Sequence, residues 1–205
     1  MKNLILVFTA FLSLVIFSAS SPKDEWVSLF DGKSCEGWKL AEHPETFKIE
    51  NGMIAVHGER GQIFYDGTYL NHDFKNFEFK ATIKTTLGSN SGIFILTEYQ
   101  AESWPSQGFE IQVNNSHTDW IRTGSVYGIQ NVKEVTMKDG EWFTMGIKVV
   151  GKTITVSLNG KVVNEYTEGA AVEKPKFRRG TIALQGHDPK SLVYYKDVMI
   201  KALPD

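Results

Sequence analysis

Hydrophobic and polar positions alternate with a period of two along much of the chain: Phe77, Phe79, Ala81 and Ile83 fall on one face, and Glu78, Lys80, Thr82 and Lys84 on the other. That is the period of a β-strand with one face against a core. Similar runs recur at Ser91 to Tyr99, Gly108 to Asn114, Trp142 to Val150, Thr153 to Leu158, Lys161 to Tyr166, Thr181 to Gln185 and Leu192 to Lys201. No segment of comparable length carries a helical period. Asn159-Gly160, between two of these runs, supplies the positive φ angles of a two-residue hairpin turn, and Gly151-Lys152 is placed to turn the hairpin before it. Longer loops are expected from Asn115 to Lys138 and from Thr167 to Arg179. The pattern predicts an all-β meander forming two antiparallel sheets face to face, closed as a sandwich or a barrel.

Length and the first residues bound the organisation. The 205 residues suit one domain. Lys2, the apolar run Leu4 to Phe17 and the small residues Ser18 to Ser21 have the layout of a secretory signal peptide over 1–20, followed by a single domain over 21–205. Neither this run nor any later one is long enough to span a bilayer comfortably, so the expected product is exported, to periplasm or medium, and free of the membrane after cleavage. Cys35 is the only cysteine, so the fold must rest on its packed core without an intramolecular disulfide. Lys plus Arg number 22 against 24 Asp plus Glu, which gives no basic surface for nucleic acid. Aromatic residues make up 12% of the chain, and many lie outside the alternating runs, where their rings either fill the core edge or stack on sugar rings. Oligomeric state is not legible.

Within the run Gly108 to Asn114, alternation sends Phe109, Ile111 and Val113 to one face and Glu110, Gln112 and Asn114 to the other. The apolar set belongs to the core. The polar row is either solvent-facing or the floor of a binding surface. No Gly-rich phosphate or dinucleotide loop, His-Glu-x-x-His pattern or calcium loop is present, so the sequence requires no cofactor. His117 and Asp119 stand close enough to admit a divalent metal, with unspecific spacing.

The segments Trp26-Val-Ser-Leu-Phe-Asp-Gly-Lys33 with Gly37-Trp38, Asn90-Ser-Gly-Ile-Phe94, Gly108-Phe-Glu-Ile-Gln112, Thr123-Gly-Ser-Val-Tyr-Gly128, Leu158-Asn-Gly160, Gly180-Thr-Ile-Ala-Leu-Gln-Gly-His187 and Tyr195-Lys-Asp-Val198 resemble, in order and spacing, the 3-keto-disaccharide hydrolase domain family. The resemblance implies a concanavalin A-like jelly-roll sandwich, a carbohydrate ligand and cleavage of a 3-keto-glycoside. A ketone at carbon 3 acidifies the proton on carbon 2, so one base, one acid and a stabiliser of the enolate suffice for elimination of the carbon 1 substituent, and water adds afterwards. On that reading Glu110 is the base, His187 the acid or a second base, and Gln112 and Arg122 surround the developing charge. Trp120, in the same loop as Arg122, is a sugar-stacking candidate, as are Trp104 and Tyr127. Sandwich glucanases resemble Glu-Ile-Asp followed by a second Glu on the equivalent strand; here Gln112 and Asn114 leave one carboxylate, short of the pair that glycoside hydrolysis normally uses. The family's arginine near Leu96 is absent, and Glu98, expected on the same face as Leu96, is a substitute candidate. Two other readings stay open: a carbohydrate-binding module without catalysis, and an ordinary glycosidase with Glu98 or Asp119 as its second carboxylate.

Overall fold

The computed structural model describes residues 25–169 and 177–205. The expected leader lies outside the described residues, as does the centre of the loop after Thr167. The strands are β1 (Val27–Ser28), β2 (Trp38–Ala41), β3 (Phe47–Glu50), β4 (Met53–Val56), β5 (Gly61–Tyr65), β6 (Phe77–Thr85), β7 (Ser91–Thr97), β8 (Phe109–Val113), β9 (Phe143–Val150), β10 (Thr153–Leu158), β11 (Lys161–Thr167), β12 (Thr181–Gly186) and β13 (Val193–Ala202). The only helical pieces among the described residues are two short 3-10 turns.

Every paired strand is antiparallel. An eight-stranded sheet runs β11-β10-β9-β6-β13-β4-β3, with β1 added on β13, and a five-stranded sheet runs β2-β5-β12-β7-β8. The two pack as a jelly-roll sandwich rather than a barrel. Alternation explains the larger sheet: Phe77, Phe79, Ala81 and Ile83 of β6, Met145, Ile147 and Val149 of β9, and Ile154 and Val156 of β10 all point inward and are buried. Asn159 (φ 49°) and Gly160 (φ 80°) form the turn joining β10 to β11, and Gly151 (φ 59°) turns β9 into β10.

Strands β1 to β5 were not foreseen from the pattern. They are short, and β5 is buried at every position, so no alternation betrays it. The smaller sheet holds the other departure. Against β12 the register of β7 shifts, with Ala183 facing Phe94 but Thr181 facing Thr97, and Leu96 takes φ 54°. This bulge turns Leu96 into the main core, fully buried. Glu98 therefore does not share a face with Leu96. Its side chain is 61% exposed and meets Arg178 at 3.7 Å.

Phe79 lies mid-strand in β6 and is 1% exposed, so the core has little freedom to close around its loss. Phe79→Ala is expected to lower the unfolding free energy by about 3–5 kcal/mol, measured from the shift of the urea midpoint at unchanged slope.

Candidate active site

A cavity of about 290 Å³ opens on the outer face of the five-stranded sheet, lined by Asn90, Trp104, Glu110, Gln112, Tyr127, Gln185 and His187. That volume is at the lower end for small-molecule sites. Its floor follows from strand register. In β8, Phe109, Ile111 and Val113 take the core, so Glu110 and Gln112 point outward. Phe94 of β7 stands opposite Glu110, and Ala183 of β12 stands opposite Phe94. Gln185, two residues beyond Ala183, shares the outward face, and His187 follows just past the end of β12. Gly92 of β7 leaves space for the acid, since a Cβ there would lie 2.5 Å from Glu110 Oε1.

The long loop between β8 and β9 closes one side. Its residues 123–127 run along the edge of β8, with Tyr127 N donating to Glu110 O at 2.9 Å, Gln112 N to Ser125 O at 3.0 Å and Thr123 N to Asn114 O at 3.0 Å. This pairing brings Tyr127 to the cavity beside Glu110. Trp104 forms part of the opposite rim, stacked on His187 at 5.6 Å between ring centroids.

Burial pushes the Glu110 carboxyl up to about 7, opposed by a hydrogen bond from Gln185 and reinforced by the nearby negative charge of Asp119. Gln185 Nε2 donates to Glu110 Oε1 at 2.8 Å, and Gln112 Nε2 donates to Asn90 Oδ1 at 2.8 Å. Gln112 Oε1 and Gln185 Oε1 are buried without a protein partner. Buried acceptors left this way call for a hydrogen-bond donor from whatever occupies the cavity. His187 Nδ1 lies 2.8 Å from Asp188 Oδ2, and its ring meets His117 edge-on at 5.5 Å.

Of the residues expected at the site, Glu110, His187, Gln112, Trp104 and Tyr127 are brought together. Arg122 is not. Its Nη1 donates to the backbone oxygens of His117 (2.8 Å) and Asp119 (2.6 Å) and to Asn114 Oδ1 (3.1 Å), so its charge ties the loop to β8 instead of facing the cavity. Asn114 is fully buried and spent on the same loop, donating to Asp119 O and Ile121 O. Trp120 is 53% exposed, with Lys133 above its ring, and Glu98 faces a separate depression beside Tyr99 and His72. Asn90 and Gln185 line the cavity without having been singled out for it. The signal for Gln185 was its parity with His187 in the segment Gly180 to His187; Asn90 opens the segment Asn90 to Phe94 but lies outside any alternating face.

His117, His187 and Asp188 are the one group, among the described residues, whose ligand atoms lie within 4.8 Å of one another. Their hydrogen bonds engage one ring nitrogen of each histidine and both oxygens of Asp188. His117 Nδ1 accepts the Asp119 N–H at 3.1 Å, which leaves the hydrogen of the neutral ring on Nε2, and His187 and Asp188 bond each other. Asp119, the expected companion of His117, instead directs its carboxylate at Ile121 N (3.0 Å) and the Tyr127 hydroxyl (3.2 Å).

The sequence pattern of the 3-keto-alpha-glucoside-1,2-lyase-like domain matches residues 25–201. A 3-keto-disaccharide hydrolase of Bacteroides thetaiotaomicron is 29% identical over 171 residues, covering 70% of this chain and 59% of that protein. The chain thus spans under two thirds of that relative's length. Two crystal structures of candidate glycosyl hydrolases from Parabacteroides distasonis share the fold. One has a TM-score of 0.72 at 23% identity, covering 87% of this chain and 94% of the other; the second has 0.68 at 26%, covering 88% and 100%.

Because the folded protein holds the Glu110 proton at about 7 against 4.5 for an ordinary glutamate, ionising this group opposes folding. The penalty is absent below about pH 4.5, grows as pH rises through the window and is full above about pH 7. Glu110→Gln is therefore expected to be on the order of 1–3 kcal/mol more stable than wild type at pH 8 and equal to it at pH 4, by thermal melts at both values.

Proposed function

The chain belongs to the 3-keto-alpha-glucoside-1,2-lyase-like family, and on that premise we propose that it is a carbohydrate-active hydrolase that cleaves the glycosidic bond of a 3-keto-glycoside by elimination and hydration. The observation that carries the reading is the composition of the cavity. Among the described residues lining it there is one carboxyl, Glu110, with one imidazole, His187, and the amides of Asn90, Gln112 and Gln185. An ordinary glycosidase works with a pair of carboxyls across the bond it cuts. A single buried carboxyl and an imidazole suit a reaction that needs one proton taken and one given.

A ketone at carbon 3 makes such a reaction accessible. Its electron-withdrawing carbonyl stabilises the charge left when the carbon 2 proton departs, and the enolate then expels the oxygen on carbon 1. Protonation of that oxygen as it leaves completes the elimination, and water adding to the new double bond gives a net hydrolysis. Unpartnered Gln112 Oε1 and Gln185 Oε1 would orient sugar hydroxyls, and the Trp104 and Tyr127 rings would border the sugar. Nothing in this chemistry consumes a redox cofactor, so the keto sugar is made by a separate oxidation. Export belongs to the same proposal, supported by the leader-like run Leu4 to Phe17.

The test compares matched aryl glucosides that differ only at carbon 3, oxidised in one set and hydroxylated in the other. Aryl release from the oxidised set alone is expected. Release from both sets would return the protein to the ordinary glycosidases, and release from neither would make the cavity a binding site without this chemistry.

A further inference from the structure

Asp188 follows His187 directly and lies outside the residues expected at the site. Its carboxylate is held on every side: Oδ2 accepts the Ser191 hydroxyl at 2.7 Å and faces His187 Nδ1 at 2.8 Å, and Oδ1 accepts Lys190 N–H at 2.9 Å. Ser191 is fixed in turn, its hydroxyl oxygen accepting Asn90 N–H at 2.8 Å. Burial alone would raise the Asp188 carboxyl, but the bonds from His187, Ser191 and Lys190 outweigh it and hold it below the ordinary range, so it is ionised.

An ionised carboxylate only accepts, so His187 Nδ1 must carry the hydrogen of this bond and the lone pair of the neutral ring sits on Nε2. The remaining freedom of the ring is removed by Trp104, stacked on one face, and His117 at its edge. His187 lines the same cavity as Glu110. We propose that Asp188 is a positioning residue that fixes His187 as the base of the reaction, with Glu110 as the acid that protonates the departing oxygen. This inference rests on the 3-keto-glycoside reading and orders the two roles within it.

The steps balance. The C2–H bond breaks, its proton goes to His187 Nε2 and its electron pair becomes the enolate of the carbon 3 ketone. Collapse of the enolate forms the C1=C2 bond as C1–O breaks, and the departing oxygen takes the Glu110 proton. Water then gives its hydroxyl to carbon 1 and a proton to the Glu110 carboxylate, while the imidazolium of His187, its N–H exchanged with solvent, delivers a proton to carbon 2. Both groups are restored. Elevation of the Glu110 carboxyl to about 7 agrees with this order, because the resting acid then keeps its proton up to neutrality.

The test uses 3-keto-1,5-anhydroglucitol, which lacks a leaving group, so that proton removal is observed without cleavage. Exchange of its carbon 2 hydrogen in deuterated buffer is followed by proton NMR for the full-length protein and four variants, with thermal melts as the folding control. Wild type is expected to exchange this hydrogen above the buffer rate, Glu110→Gln to retain exchange, and His187→Asn to lose it. Asp188→Asn is expected to slow exchange by about 10–100-fold at unchanged melting temperature, and Asp188→Glu to recover part of it. Loss of exchange in Glu110→Gln with retention in His187→Asn and Asp188→Asn would overturn the assignment alone. Loss on chelation, restored by a divalent cation, would also overturn it by making the His187–Asp188 pair a metal site. Absence of exchange in wild type, with release from keto-glucosides also absent, would take down the elimination reading on which the assignment rests.

Discussion

One register across three strands is the constraint on which the site depends. β12, β7 and β8 align Ala183, Phe94 and Glu110 in a row, and the neighbouring row carries Gln112 opposite Gly92 with Gln185 on the same face. A shift of a single residue in β8 would exchange its two faces, sending Phe109 and Ile111 to the cavity and the acid to the core. The core forbids that exchange, because Phe109, Ile111 and Val113 are all buried in it. The chemistry of the outer face is thus held in place by the hydrophobic packing of the inner one. Edge pairing of residues 123–127 against β8 extends the same control to Tyr127.

The electrostatics of the cavity follow from this placement. Glu110 stands beside Phe94, which belongs with Ala41, Phe64 and Ala183 to a small apolar cluster outside the main core. The carboxyl receives one stabilising hydrogen bond, from Gln185, and its ionised form is repelled by the like charge of Asp119. Burial prevails, and the folded state carries an acid that prefers to be neutral. Such a group weakens the fold near neutral pH, a cost found where reactivity rather than stability sets the residue. Across the cavity, His187 is held by a carboxylate and by stacking, so the two titratable groups occupy opposite kinds of environment.

The sandwich was legible because most of its strands bury one face and leave the other wet, and the Asn159-Gly160 turn marked one hairpin outright. β1 to β5 were hidden by their shortness, and β5 also by burial at every position; β7 and β12 are as fully buried but longer. At the site, alternation placed Glu110 and Gln112 correctly on a shared face, the family resemblance brought His187 into consideration, and Trp104 and Tyr127 entered as aromatic rings expected on loops. Alternation failed at Glu98 because the bulge at Leu96 interrupts the period of two, which no local pattern announces. The expectation for Arg122, which rested on its place in the loop after β8, failed because a loop's own carbonyls can compete for a guanidinium as well as a ligand can. Asn90 was out of reach for a related reason: its role arises from contacts between segments far apart in the chain, such as its N–H with the Ser191 hydroxyl. Asp188 bonds to near neighbours, His187, Lys190 and Ser191, but no residue pattern marks that tight turn as part of a site.

Elimination followed by hydration differs from direct displacement in the fate of one hydrogen. Cleavage of a 3-keto-glucoside in deuterated water, with the released sugar analysed at early times by mass spectrometry and NMR, reads that fate directly. One deuteron at carbon 2 of the product, above the level acquired by free keto sugar in the same buffer, is the expected result. A product that keeps its original hydrogen at carbon 2 would mean that water displaced the leaving group directly, and would contradict the account.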